Sequence, residues 1–166
     1  MSRFQHQRHK PPTRLLHPRA LVVAMPPMNS HVNLARIVRA AGCCGLTRVV
    51  ACGNARVDRE IARDAMEQVT VEIHRTLPPT LKSLRAEGYR LVGLEQATGS
   101  VLLTEYAFAR ETVLVVGHER QGLTQEVLDL LDDVVEIPIF GRPESHNAAT
   151  AAAIAMYEYC RQFPLG

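Results

Sequence analysis

The sequence predicts an α/β fold, a mostly parallel sheet with helices on both faces. Short runs of Val, Leu and Ile alternate with segments of helical apolar spacing, and the runs are apolar throughout rather than at every second residue. Strands of that kind are buried on both faces, and helices between them are how parallel neighbours are joined. The 166 residues, 46% of them hydrophobic, are enough for one core of ordinary size.

The elements follow in order. After a polar leader with Pro11, Pro12 and Pro18, Ala20 to Met25 reads as a buried strand stopped by Pro26-Pro27. Asn29 or Ser30 caps a helix whose stripe is Val32, Leu34, Ala35, Val38 and Ala41, and Gly42 is its expected stop. Val49 to Cys52 is a strand, Arg59 to Gln68 a helix, Val71 to His74 a strand, and Pro79 to Glu87 a helix ended by Gly88. Arg90 to Leu94 and Thr112 to Val116 are strands, and Leu123 to Leu131 is a helix capped by Thr124 or a neighbour. Val134 to Phe140 is the last strand and Asn147 to Gln162 the last helix. Ligands of such sheets collect beyond the carboxyl ends of the strands, where Glu95, Gly117 and Phe140-Gly141 fall.

Charge is unevenly distributed. The net charge of +2 conceals a span from residue 1 to 57 with nine Lys and Arg and no Asp or Glu, followed by a remainder with 10 basic and 17 acidic residues. A basic bias that continues through a strand and a helix holds charges at fixed places on a folded face, which suits a polyanion such as RNA. Arg8, Lys10 and Arg14 of the leader and Arg36 of the first helix are the candidate phosphate contacts.

Several chemistries lack their residues. No G-x-G-x-x-G follows the first strand, no G-x-x-x-x-G-K-[ST] or G-x-S-x-G occurs, and the seven histidines show no metal-ligand spacing, so no metal is expected. Cys43, Cys44, Cys52 and Cys160 have no C-x-x-C spacing and read as reduced, small core residues. No apolar run reaches the roughly 20 residues of a membrane span, and no signal peptide is read, so a cytoplasmic protein is expected.

The last third carries the most specific pattern. Gly117-x-Glu119-x-x-Gly122, then Ile137-Pro138, then Ser145-x-Asn147 ahead of Ala151-Ala152-Ala153-Ile154-Ala155 resemble the second and third motifs of the TrmH (SpoU) branch of the SPOUT RNA methyltransferases. Asn33, with Arg39 six residues later, matches the first motif of that family. The resemblance runs from about Arg19 to the C-terminus, so residues 1–18 read as a basic extension and 19–166 as the methyltransferase domain.

That resemblance implies a trefoil knot, with the segment after Phe140 threaded through the loops after Leu94 and Gly117. It also implies S-adenosyl-L-methionine held by the main chain at Leu94, Glu95, Gly117, Ile137, Ile139 and His146, and methyl transfer to a ribose 2′-hydroxyl. His146 stands where the family usually has Leu, and Ala149 where it often has a second Ser. Arg39 takes the family's catalytic place. Its guanidinium stays protonated, so its expected work is to anchor a phosphate and stabilise an alkoxide rather than to accept a proton. On a regular helix Asn33 and Arg39 lie about 240° apart, so Asn33 is expected in or before the first turn, off the face of Arg39. Glu119 is expected to order the loop or touch substrate, and Ser145 and Asn147 to cap a helix, to face the site, or both. Glu105-Tyr106 and Leu94-Glu95-Gln96 tilt the expected substrate toward tRNA and guanosine over rRNA. A homodimer is expected, because the family's site lies at a two-fold interface and the last helix is apolar on more than one face. The rival reading is a catalytically inactive RNA-binding protein of the same fold.

The basic leader generates the first prediction. Deletion of residues 1 to 17 weakens RNA binding and flattens the slope of log affinity against log salt by roughly 0.7 to 0.9 per lost phosphate contact. Filter binding across a salt series measures this, and an unchanged slope would make the leader a mere tail.

Overall fold

The structure, a computed structural model, describes residues 3–166. Its strands are β1 (Val22–Ala24), β2 (Arg48–Cys52), β3 (Thr70–His74), β4 (Arg90–Leu94), β5 (Val101–Leu102), β6 (Thr112–Val116) and β7 (Asp133–Glu136). The helices are α1 (His31–Cys43), α2 (Arg59–Ala62), α3 (Ala65–Gln68), α4 (Leu77–Ala86), α5 (Gln125–Leu128) and α6 (Ala148–Gln162). The strands form one sheet in the order β3-β2-β1-β6-β4-β7-β5, and every neighbouring pair is parallel.

The pleat sends successive side chains to opposite faces, and both faces are apolar. Val23, Val49, Ala51, Val92, Leu94, Leu114 and Val116 pack on one side with α1 and α6. Val22, Ala24, Val50, Cys52, Leu91, Val113 and Val115 pack on the other with α4. This double burial is why the strands read as unbroken apolar runs and why the α/β expectation holds. On α6, Tyr159 is fully buried, stacks near Phe108 and Phe163, and donates its hydroxyl to Arg110 O at 2.7 Å.

Several expected boundaries move. The helix of Arg59 to Gln68 is broken at Arg63, whose φ of 53° leaves the helical region, and the break seats Ala65 against Gly42 of α1. Gly42 therefore does not stop α1; it lies inside the helix as a contact point, and the chain turns at Gly45 with φ 73°. The helix of Leu123 to Leu131 shrinks to α5, followed by turns in which Leu130 N and Leu131 N bond three residues back. The final strand stops at Glu136 rather than Phe140, since Pro138 has no N–H for the ladder, and Phe140 is 96% exposed. Strand β5, two residues paired to β7 at the sheet edge, carries too short a pattern to be read from sequence. Among the cysteines Cys52 is buried, Cys44 and Cys160 are half-buried, and Cys43 is exposed rather than in the core.

The leader is tied down at its end. Leu16 N and His17 N donate to Leu165 O at 2.8 and 3.2 Å, and Leu15 packs over Gly45. Arg19 is buried and its guanidinium donates to Phe163 O. Contacts of the folded body thus begin ahead of Arg19, and a deletion meant to remove charge alone ends at Arg14. No helix of the described residues is long and apolar enough to cross a membrane.

The Gly42 contact supplies the second prediction. A Cβ there would lie 2.6 Å from the Ala65 Cβ. Overpacking of this sort costs about 1–3 kcal/mol, more than the roughly 1 kcal/mol by which Ala outdoes Gly in a helix. Gly42→Ala therefore lowers stability by about 1 kcal/mol, read as an earlier urea midpoint, whereas Gly141→Ala, with open space at its Cβ and no positive φ, meets no such contact.

Candidate functional site

The carboxyl ends of β4, β6 and β7 open onto a cavity of about 480 Å³, within the range of pockets for small ligands. Leu94, Val116, Ile137, Ile139, Ala148 and Ala151 make its apolar walls, and the loop from Gly117 to Leu123 closes one side. Glu95 N donates to Val135 O at 3.0 Å, so β4 and β7 stay paired up to the rim. The mixture of apolar wall and free main-chain edges suits an amphipathic, nucleoside-sized ligand.

Two glycines let the loop fold this tightly. A Cβ on Gly117 would stand 2.8 Å from the carbonyl carbon of Gly122, and one on Gly122, at φ 65°, would stand 2.3 Å from Glu95 Oε2. The same Glu95 oxygen accepts from Leu123 N at 2.9 Å, and Oε1 accepts from Gln96 N at 3.0 Å. Glu95 therefore fastens the loop to β4 with its side chain.

Glu119 fastens the loop to α1. Its Oε1 accepts from Ser30 N at 3.0 Å and Asn33 Nδ2 at 3.3 Å, and its Oε2 accepts from Asn29 N at 3.3 Å. Ser30 caps α1 by accepting from Asn33 N at 3.1 Å. Asn33 Oδ1 then accepts from Asn147 Nδ2 at 3.1 Å, and Asn147 Oδ1 caps α6 by accepting from Ala149 N and Thr150 N. Two helix N-termini, each favouring negative charge, thus meet a carboxylate through two asparagines. Burial pushes the Glu119 carboxyl up, but the backbone N–H groups of Glu119, Ser30 and Asn29 and the Asn33 amide outweigh it, and the group lies below its ordinary value.

The structure gathers the expected residues unevenly. All six expected cofactor positions, Leu94, Glu95, Gly117, Ile137, Ile139 and His146, line the cavity, as do Glu119 and Ser145. Asn33 and Asn147 join Glu119 by hydrogen bonds behind the wall. Asn33 is in the first turn of α1 and buried, away from the exposed face of Arg39, as the helical angle requires. Arg39 does not reach this cavity. It is exposed beside Arg36 on the outer face of α1 and has no ion-pair or hydrogen-bond partner among the described residues. Arg8, Lys10 and Arg14 are exposed on the leader. The sequence reading missed His118, which lies inside the quoted glycine motif and lines the cavity, and Val116 and Leu123, whose apolar character marked them only as core. Among the described residues no group of three or more His, Cys, Asp or Glu is placed to hold a metal ion.

The depressed Glu119 carboxyl yields the third prediction. Its stabilising bonds are fully present above the ordinary glutamate range near about 4.3 and are lost as pH falls through the lower folded-state value. Urea midpoints measured from about pH 6 down to 3 decline for the wild type, and Glu119→Gln removes part of that decline while lowering the midpoint at pH 6. Parallel acid limbs for the two proteins would show that Glu119 contributes nothing to folding through its charge.

Comparison with known proteins places these features. A model of the SpoU rRNA Methylase family matches residues 20–157. The tRNA (guanosine(18)-2'-O)-methyltransferase of Escherichia coli K12 is 30% identical over 145 residues, covering 86% of this chain and 63% of that protein. The mouse tRNA (guanosine(18)-2'-O)-methyltransferase TARBP1 is 38% identical over 86 residues, 52% of this chain and 5% of that protein. Among solved structures, the A. aeolicus TrmH/SpoU tRNA modifying enzyme superposes with a TM-score of 0.83 at 25% identity, covering 90% of this chain and 78% of its own. The SpoU methyltransferase AviRb from Streptomyces viridochromogenes, in complex with AdoMet, gives 0.78 at 25% identity, with 91% and 63% covered. The chain thus spans less than two thirds of the length of the bacterial relative it matches. With the family model covering most of its length, the three motifs in order and the parallel sheet beneath them, the chain belongs to the SpoU rRNA methylase family.

Proposed function

We propose that this chain is an S-adenosyl-L-methionine-dependent RNA ribose 2′-O-methyltransferase acting on tRNA or rRNA, with a guanosine in tRNA as the leading target. The observation that carries the reading is the cavity at the ends of β4, β6 and β7, whose wall is locked by Glu119, Asn33 and Asn147 to the N-termini of α1 and α6. Support comes from the two relatives named as tRNA guanosine-18 2′-O-methyltransferases and from the AdoMet complex of AviRb.

In this reading the main chain at Leu94, Glu95, Gly117, Ile137, Ile139 and His146 holds the cofactor. The cofactor supplies an electrophilic methyl group on a sulfonium. As a ribose 2′-oxygen would bond to that carbon, the carbon–sulfur bond would break and leave a neutral thioether, and the oxygen must give up its proton while charge builds on it. Arg39 anchors a neighbouring phosphate and stabilises that charge, and the proton leaves to phosphate or water because the guanidinium cannot take it. Ser145, exposed at the cavity, and Asn147 face the substrate, and Asn33 keeps Glu119 and Asn147 in place. Arg8, Lys10, Arg14 and Arg36 meet the RNA backbone.

Within one protomer Arg39 does not border the cavity, so the reading includes a homodimer in which it faces the partner's site. Val32, Arg36, Arg39 and Cys43 are exposed at helical spacing on α1, and Thr150, Ile154, Tyr157 and Arg161 are exposed at the same spacing on α6. The apolar members Val32, Ile154 and Tyr157 give such an interface its burial. The C-terminal knot belongs to the same reading, supported by Gln96 Nε2, which donates to Glu144 O at 3.2 Å between the two segments that the threading would bring together. A cytoplasmic location completes it.

The test is incubation with methyl-labelled cofactor and bulk tRNA or rRNA, followed by alkaline hydrolysis, which cannot cut beside a 2′-O-methyl group. Label is expected in alkali-resistant dinucleotides. Label in mononucleotides would mean base methylation, and bound cofactor with no labelled RNA would favour the inactive RNA-binding protein. Arg39→Ala lowers single-turnover methyl transfer by at least about a hundredfold, the scale of losing one charge-stabilising donor, with cofactor affinity unchanged. Sedimentation is expected to give twice the monomer mass at micromolar concentration.

A further inference from the structure

We propose that His118 is a positioning residue for the cofactor loop, working as the neutral ring with its proton on Nε2 and its bare Nδ1 standing in for a backbone carbonyl. The proposal rests on the reading of the cavity as the cofactor site and adds to it the residue that shapes one wall.

The loop is a small closed ring. His118 N donates to Gly122 O at 3.0 Å and Gly122 N donates back to His118 O at 2.9 Å, so the two residues pin its base. At the crown, Arg120 N and Gln121 N point inward. No backbone carbonyl takes them; both donate to His118 Nδ1, at 3.2 and 3.3 Å. An imidazole nitrogen accepts only when it carries no proton, so these two bonds select the tautomer. The proton is then on Nε2, which faces Glu119 Oε2 at 3.6 Å, and the His118 side chain is only 15% exposed. Glu119 in turn reaches Ser30, Asn29 and Asn33. One ring therefore holds the crown of the loop and lies against the carboxylate that ties it to α1.

A second proton has opposing effects. It would draw Nε2 toward Glu119, but it would also set an N–H on Nδ1 against two backbone N–H groups and leave both without an acceptor. The other titratable groups on the cavity are Glu95, which is already bound to Leu123 N and Gln96 N, and Arg120 and His146. None of them supplies an acceptor for the crown amides, and the loop opens when the ring is doubly protonated.

The first measurement is on the free protein. Ring nitrogen shifts of histidine-labelled protein near neutral pH are expected to show Nδ1 of His118 bare and Nε2 protonated, and a protonated Nδ1 overturns the assignment. The second is calorimetric titration with S-adenosylmethionine and with S-adenosylhomocysteine. His118→Ala is expected to weaken both by about tenfold, the scale of one lost hydrogen-bonded turn. In His118→Asn the carboxamide oxygen accepts amides two and three residues on, as in an Asx turn, so affinity stays within about threefold of wild type. Equal affinities for wild type and His118→Ala, or as large a loss in His118→Asn as in His118→Ala, overturn the proposal. A wild type that binds neither ligand overturns the cofactor reading instead, and the ring shifts, with amide exchange at Arg120 and Gln121, still decide the role of His118.

Discussion

The carboxylate of Glu119 is the constraint on which the site depends. It lies near the end of the central part of the sheet, and its three acceptor contacts reach Asn29, Ser30 and Asn33, about ninety residues earlier in the chain. Without them the loop after β6 would have no fixed relation to α1. With them, Asn33 is oriented to hold Asn147, and Asn147 is free to cap α6 with its other atom. The N-terminus of one helix, the loop of the cavity and the N-terminus of the last helix are thereby placed by one connected set of hydrogen bonds. Buried polar sets of this kind stabilise only when each member is satisfied, and here each of the three side chains has its partner.

Beneath that network the sheet provides the rigid floor. Val92, Leu94, Leu114 and Val116 point to the α1 and α6 side, while Leu91, Val113 and Val115 point to the α4 side. Stopping β7 at Glu136 frees Ile137, Pro138 and Ile139 from the ladder, and that release turns a strand end into a cavity wall. Gly117 and Gly122 are the matching devices on β6, since side chains there would collide with backbone and with Glu95. A ligand site formed from ladder groups that have stopped pairing needs little side-chain chemistry of its own.

Charge is arranged on a longer scale. The acid-free first third places Arg36 and Arg39 on the outer face of α1, while the acids of the cavity, Glu95 and Glu119, are consumed by backbone donors and the network. Unpaired guanidinium on the outer face attracts a polyanion, while the carboxylates of the cavity are turned to backbone and amide donors. The exposed stripes of α1 and α6 combine these arginines with Val32, Ile154 and Tyr157, the surface on which the proposed dimer would rest.

By itself the sequence determined the α/β class and the strands β2, β4 and β6 nearly to the residue, because apolar runs, glycine turns and helix caps are local signals, while the six positions now found around the cavity came from the resemblance of its motifs to those of the family. It also placed Asn33 off the face of Arg39 from helical geometry alone. What it could not supply was anything resting on contacts between distant segments. The break at Arg63 brings Ala65 against Gly42 of a distant helix, and β5 exists because Leu103 N and its neighbours find Glu136 and Val135 on β7. The bond from Asn33 to Glu119, the bond from Asn147 to Asn33, and the absence of Arg39 from the cavity are likewise decided by tertiary structure. Periodicity describes which face a residue occupies on its own element; only the packing of elements fixes what that face meets.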